Sequence, residues 1–231
     1  MKVLAIDTSN LVMGIAITAG STVIGETITN LKKNHSVRAM PAISELLEEC
    51  GIKPNELDKI VVAKGPGSYT GVRIGVTIAK TLAWSLNIPL VGVSSLEILA
   101  ANGRYFNGSI SPIFDARRGQ VYTGLYSTLK LGDLVCVKED RILLLTDWIE
   151  QLKATQSDIL FLGNDLELHR EAIATEMGNQ AVFAPFTGFN PRPSELALIG
   201  MNREHENVHT FVPNYIRLAE AEANWIASNQ K

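Results

Sequence analysis

The stretch VVAKGPGSYTGVRIG, residues 61–75, limits what this chain can become more than any other. A β-branched apolar run meets two glycines around a proline and then takes on helical spacing. A buried strand therefore leaves through a sharp joint and enters a helix at once, which is the repeating unit of α/β proteins. Three enzymatic loops share this outline, and each fails on spacing. A phosphate loop of the form G-x-x-x-x-G-K-[ST] needs its second glycine at Thr70 if counted from Gly65, or at Val72 if counted from Gly67, and the Lys–hydroxyl pair is missing. A dinucleotide fingerprint starting at Gly65 and Gly67 needs its third glycine where Thr70 stands. A hydrolase elbow needs G-x-S-x-G, and Gly67-Ser68-Tyr69-Thr70-Gly71 puts the serine one place early.

What survives is geometric. Ser68 or Thr70 can cap the helix after the joint. Gly71, Gly75, Ala79 and Ala83 then fall on one helical stripe, where small residues allow a close approach by another backbone. A glycine inside a helix costs about 1 kcal/mol relative to alanine, so two of them imply a packing reason. Two surfaces qualify: the chain's own sheet, or a helix of a partner chain.

Around this joint the order of elements is regular. KVLAIDTS (2–9), LVMGIAITAG (11–20) and STVIGETI (21–28) predict three successive antiparallel strands. HSVRAMPAISELLEEC (35–50) predicts a helix capped by Gly51, with a kink or shift at Pro41. A strand over 57–65, a helix over 69–87, a strand over 88–94 and a helix over 95–102 come next. The order β-β-β-α-β-α-β-α is that of the ribonuclease H-like core of actin-like ATPases and sugar kinases. The second half predicts two strands in 109–127 joined at DARRG, a strand in 134–145, a helix at 146–153, a strand at 158–163 and a helix at 164–177. The boundary is expected near NGRYFNG (102–108), giving lobes 1–103 and 104–231. A last helix at about 214–229 is expected to pack back on the first lobe.

Composition removes several classes of function. With 46% hydrophobic and 19% charged residues over 231 positions, the chain has the make-up of a soluble globular protein. A formal net charge of −3 argues against a protein that grips nucleic acid unaided. Cys50 and Cys136 have no metal-ligand spacing and predict buried thiols in a reducing cytoplasm. Asp7 interrupts the first apolar run, which predicts no signal peptide, and no stretch is long enough to span a membrane.

Four polar features remain as candidate chemistry. AIDTSN (5–10) places Asp7 at the end of the first strand with Ser9 beside it. Such a turn holds phosphate and magnesium in actin-like ATPases, and it also closes as a simple Asx turn without any ligand. HENVH (205–209) satisfies the H-E-x-x-H zinc pattern, but Asn207, Val208 and Thr210 are poor helix formers and Pro213 comes soon after. His35 begins a helix with Ala39, not histidine, one turn on. His169 reads as a surface residue of an amphipathic helix.

LAIDTS, NHSVRAMPAI, GPGSYTGVRIGVTIAK, VGVSSLEILA, DARRGQVY and PNYIRLAEAE, in this order, resemble the bacterial TsaB (YeaZ) family. The likeness runs from the first strand to the last helix and is weaker in the second half until PNYIRLAEAE. It implies an α/β fold of the actin-like ATPase superfamily with two ribonuclease H-like lobes. It implies a non-catalytic role in making N6-threonylcarbamoyladenosine at tRNA position 37. The implied partner is the paralogue TsaD, which carries metal, nucleotide and transfer chemistry; the ATPase TsaE joins them. No tightly bound cofactor is implied for this chain, and tRNA is met only through the complex. The missing histidine at Ala39 fits that division, since TsaD-like proteins hold metal with a histidine pair at helical spacing. The resemblance places the contact with TsaD, or with a second copy when TsaD is absent, on helices 35–50 and 69–87. His35, Met40, Ile43, Leu47, Gly71, Val72, Gly75, Val76 and Ala79 are its expected residues, and Asp7 with Ser9 becomes a vestigial phosphate site. The family's H-S-E pattern is broken by His35-Ser36-Val37. An ATP-dependent phosphotransferase of the same superfold is the alternative, and a zinc peptidase resting on HENVH a remote third.

Overall fold

The computed structural model describes residues 1–129 and 132–216. The first half folds in the expected order. Strands β1 (Lys2–Asp7), β2 (Val12–Ala19) and β3 (Thr22–Asn30) form an antiparallel meander. Helix α1 (His35–Glu49), strand β4 (Lys59–Ala63), helix α2 (Tyr69–Leu86), strand β5 (Leu90–Val93) and helix α3 (Ser95–Ala100) come after it. The sheet order is β3-β2-β1-β4-β5, with β1, β4 and β5 parallel.

The local signals behave as their chemistry requires. The Asn34 side chain accepts from the Ser36 amide and starts α1. Gly51, at φ +64°, ends it: its amide bonds the Glu48 carbonyl, and the Ile52 amide bonds the Leu47 carbonyl. The helix runs through Pro41 without a break. The carbonyl that Pro41 cannot bond belongs to Val37, on the exposed side where water can satisfy it. Asn87, left-handed at φ 53°, closes α2.

The second half builds a matching sheet. Strands β6 (Ser109–Asp115), β7 (Gln120–Thr128) and β8 (Leu134–Leu144) are antiparallel neighbours. Helix α4 (Leu145–Lys153), strand β9 (Ile159–Leu162), helix α5 (Arg170–Met177) and strand β10 (Ala181–Phe183) complete it. The order β10-β9-β6-β7-β8 mirrors the first sheet. The core of this half centres on Trp148, fully buried, whose indole N–H donates to Ser111 Oγ at 2.9 Å.

Several expectations are corrected. The helix expected over 164–177 begins only at Arg170, because Asp165 turns inward to accept the Asp115 amide and Leu166 is buried in a 3-10 turn. Helix α6 (Pro193–Met201) has no counterpart among the expected elements, and it packs against β1, β2 and β4 of the first sheet through Leu196 and Ala197. The cysteines are not both buried, since Cys136 is exposed and Cys50 half-buried. Asn214–Ile216 are not helical, and the remainder of the last expected helix lies outside the described residues. No helix among the described residues is long and apolar enough to cross a membrane.

Helix α3 is shared by both halves. Ile98 joins the core of the first sheet and α6, while Leu96, Leu99 and Ala100 join the core of the second sheet.

Candidate functional site: a sealed turn and an open helix face

The β1–β2 turn is where an actin-like ATPase would meet phosphate, and here it is packed with protein. Asp7, Thr8 and Ser9 are 2%, 1% and 0% exposed. Asp7 Oδ1 accepts from the Ser9 amide at 2.8 Å and from Ser9 Oγ at 2.7 Å, closing an Asx turn. Thr8 Oγ1 donates to the Gly71 carbonyl at 2.7 Å, and the Ser68 amide donates to the Ser9 carbonyl at 2.7 Å.

The glycines of the strand-to-helix joint make this approach possible. A Cβ on Gly67 or Gly71 would lie well inside contact distance of the Ser9 and Thr8 carbonyls, and one on Gly75 would stand 2.5 Å from Thr8 Oγ1. Gly65, at φ +100°, turns the chain beside the Asn214 carbonyl. The small-residue stripe of α2 therefore lies on the chain's own sheet, not on a partner. Burial pushes the Asp7 carboxyl above its ordinary range, opposed by the Ser9 donors and the charge of His35. His35 is buried, and its Nε2 meets the Asn10 carbonyl at 2.8 Å.

This arrangement has little chemical reach. Ser9 gives its proton to a carboxylate already holding its own turn, so it forms no nucleophile–base pair with His35. Among the described residues, no group of three His, Cys, Asp or Glu side chains is placed to hold a metal ion. HENVH is not helical. Glu206 bridges to Leu90, and its Oε1 accepts from Lys64 Nζ at 3.0 Å and the Gly92 amide at 3.1 Å, strapping the chain across the edge of β5. The would-be catalytic base of a zinc peptidase is thus a structural acceptor, while His205 and His209 face solvent. His169 is not a surface residue either: it is 9% exposed, with Nε2 3.2 Å from Asp115 Oδ1.

Of the nine residues expected at a partner contact, His35, Ile43, Leu47, Gly71, Val72, Gly75, Val76 and Ala79 are buried within the chain, and Met40 is exposed. The helices turn those residues onto β1, β2 and β4 because that is where their apolar and small faces find a sheet. The opposite faces stay open. Met40 of α1 and Tyr69, Arg73, Ile74, Thr77 and Ile78 of α2 line a groove of about 430 Å³ between the two helices. At its rim the Arg73 guanidinium stacks 4.4 Å from the Tyr69 ring and donates to Tyr215 Oη at 2.8 Å. Sequence offers a signal for this face: Thr70, Arg73, Thr77, Thr81 and Trp84 repeat at helical spacing on the side away from the glycines, and all are exposed.

Comparison with known proteins places this architecture. A family model described as TsaD, tRNA N6-adenosine threonylcarbamoyltransferase, matches residues 22–225. The tRNA threonylcarbamoyladenosine biosynthesis protein TsaB of Bacillus subtilis is 60% identical over 230 residues, covering 100% of both chains. The Escherichia coli protein of the same name is 34% identical over 128 residues, 54% of this chain and 55% of that one. Two Pseudomonas aeruginosa structures superpose at 25% identity. One, an uncharacterized protein with similarity to peptidase YEAZ, has a TM-score of 0.78 and covers 94% of this chain and 99% of the other. The second, YeaZ, has a TM-score of 0.75 and covers 93% and 99%. The fold is an α/β, two-sheet architecture shared with these structures, and the chain belongs to the TsaB (YeaZ) family.

Proposed function

We propose that this chain serves tRNA threonylcarbamoyladenosine biosynthesis as a cytoplasmic, non-catalytic partner of TsaD, in a complex that TsaE joins. The observation that supports it most is the sealed β1–β2 turn, where Asp7, Thr8 and Ser9 are buried, α2's glycines lie against Thr8 and Asp7 already accepts from Ser9; this favours reading Asp7 and Ser9 as a vestigial phosphate site. ATP and metal then act on the partner proteins, and tRNA is met through the complex. The α1–α2 face is the docking surface, apolar at Met40, Ile74 and Ile78 with Arg73 at its rim. The same face pairs two copies of this chain when TsaD is absent.

Co-expression with TsaD and TsaE, with a tRNA modification assay in which each component is left out in turn, tests the role. The proposal expects loss of modification without this chain. It also expects full modification with Asp7→Ala, provided that variant folds. Calorimetry of the isolated chain with ATP and magnesium separates the phosphotransferase alternative, which requires binding that Asp7→Ala abolishes.

A further inference from the structure

The two halves meet at the start of α3, and the polar groups there form a connected path. Strands β7 and β8 shift register between Thr123 and Tyr126, around Gly124. A Cβ on Gly124 would stand 2.9 Å from Asp140 Oδ1 and 3.1 Å from the Tyr126 ring, so the absence of a side chain there leaves room for both groups. Tyr126 Oη donates to Asp140 Oδ1, and Ser94 Oγ donates to Asp140 Oδ2. Ser94 is also the cap of α3, accepting from the Leu96 and Glu97 amides at 3.1 and 3.3 Å. Its neighbour Ser95 is fully buried and bonded twice to the strand-to-helix joint: the Ser95 amide donates to the Gly65 carbonyl at 3.0 Å, and the Gly65 amide to Ser95 Oγ at 3.2 Å. At the far side of that joint Ser68 caps α2.

We infer that Asp140 is a positioning residue through which the second sheet fixes the joint at Gly65–Ser68 and, with it, the first turn of α2. The inference rests on the proposal that the α1–α2 face is the docking surface, because that end of α2 carries Tyr69 and Arg73. A carboxylate suits the role: it accepts two hydroxyl donors at once, and bonds to an ionised acceptor outweigh neutral ones. Removing it strands two hydroxyls at the junction and leaves Ser94 capping α3 without its anchor in β8. The far end of α3 provides an internal control. There Asn102 Nδ2 donates to the Gly188 and Asn190 carbonyls at 2.9 and 2.8 Å, independently of Asp140.

Amide hydrogen exchange on the isolated full chain tests the coupling without any partner present. Asp140→Ala is expected to speed exchange about tenfold at the amides of residues 65–71 and 94–97, with residues 102–106 and the second half of α1 unchanged. Asp140→Asn keeps one acceptor oxygen and is expected to fall between the two, as is Tyr126→Phe, which removes one donor. Exchange that rises only within β7 and β8, or equally across the whole chain, overturns the inference. Should Asp140→Ala fail to fold, Tyr126→Phe decides on the same readout. TsaD affinity is the second measurement: about a tenfold loss in Asp140→Asn, with wild type binding, supports the coupling. Unaltered TsaD affinity in a variant whose 65–71 amides have loosened overturns the link to docking. Failure of the wild type to bind TsaD overturns the docking proposal instead and leaves the exchange result standing.

Discussion

The two sheets share one topology, yet their central hairpins have opposite fates. β1 ends in Asp7 and turns into β2, and β6 ends in Asp115 and turns into β7, each at the middle of a five-stranded sheet. Asp7, Thr8 and Ser9 of the first turn are buried under the glycines of α2. The second turn is open: Arg117, Arg118 and Gly119 stand exposed at φ 64°, 55° and 74°. Asp115 turns back on His169 rather than closing its own turn. Strand order does not decide whether such a hairpin is a site. The decision falls to the element after the next parallel strand, and after β4 that is a helix whose first two turns carry Gly71 and Gly75 at the contact.

That contrast can be broken by exchanging glycine for side chain at each turn. Gly71→Ala should destabilise the chain by about 2 kcal/mol, since the added methyl meets the Thr8 carbonyl and the gain in helix propensity is smaller. Gly75→Leu, which drives a larger group at Thr8 Oγ1, should do worse, so it disrupts the fold before it can report on a partner contact. Chemical denaturation measures both, and a neutral Gly71→Ala would show that the turn is not sealed.

At the second turn the sign reverses. Arg117→Gly relieves a left-handed arginine and should stabilise by about 0.5–1 kcal/mol in the same denaturation experiment. Loss of stability there would mean that the arginine side chain outweighs its backbone cost.

Titration sharpens the comparison further. Burial holds Asp7 above its ordinary value of 3.8, so the folded chain binds that proton more tightly than the unfolded chain. Its contribution to stability is fully present below about pH 4 and is lost as pH rises through the raised pKa. Asp7→Asn should flatten that decline in a calorimetric series across pH. Glu26, in β3, works the other way. Burial raises it, but the Arg192 and Ser194 bonds that tie it to the start of α6 bring it below 4.5. Its contribution is present above about pH 4.5 and lost as pH falls, so Arg192→Gln should remove a slope of opposite sign. The smallest effect belongs to HENVH: His205→Ala should change stability by less than about 0.5 kcal/mol and leave the purified protein's metal content unaltered.

Legibility tracks the range of the interactions. β1 to β3 and α1 to α3 can be read from sequence because their patterns are local: alternation, helical spacing, and caps at Ser68 and Gly51. α6 cannot, because PSELALIGM faces the first sheet on one side and α3 on the other, which blurs its apolar stripe. His169 reads wrongly as a surface residue because Asp115, 54 positions away, supplies its partner. The small stripe of α2 is visible, but what it touches is not, since Thr8 is 63 positions from Gly71. The residues expected at a partner contact come from the faces that make a helix apolar. Those faces make the fold, and their opposites stay exposed.

The central claim is that this chain acts by presenting the open side of α1 and α2, not by chemistry at Asp7. Thr77→Arg tests it most directly, because Thr77 is exposed in the middle of the groove and a guanidinium there fits solvent but not an apolar partner. Co-purification with TsaD, with thermal stability recorded in parallel, is the measurement. The account predicts a stability change within about 0.5 kcal/mol and at least roughly a hundredfold loss of affinity for TsaD. A variant that folds normally and still binds TsaD as tightly as the wild type would contradict it.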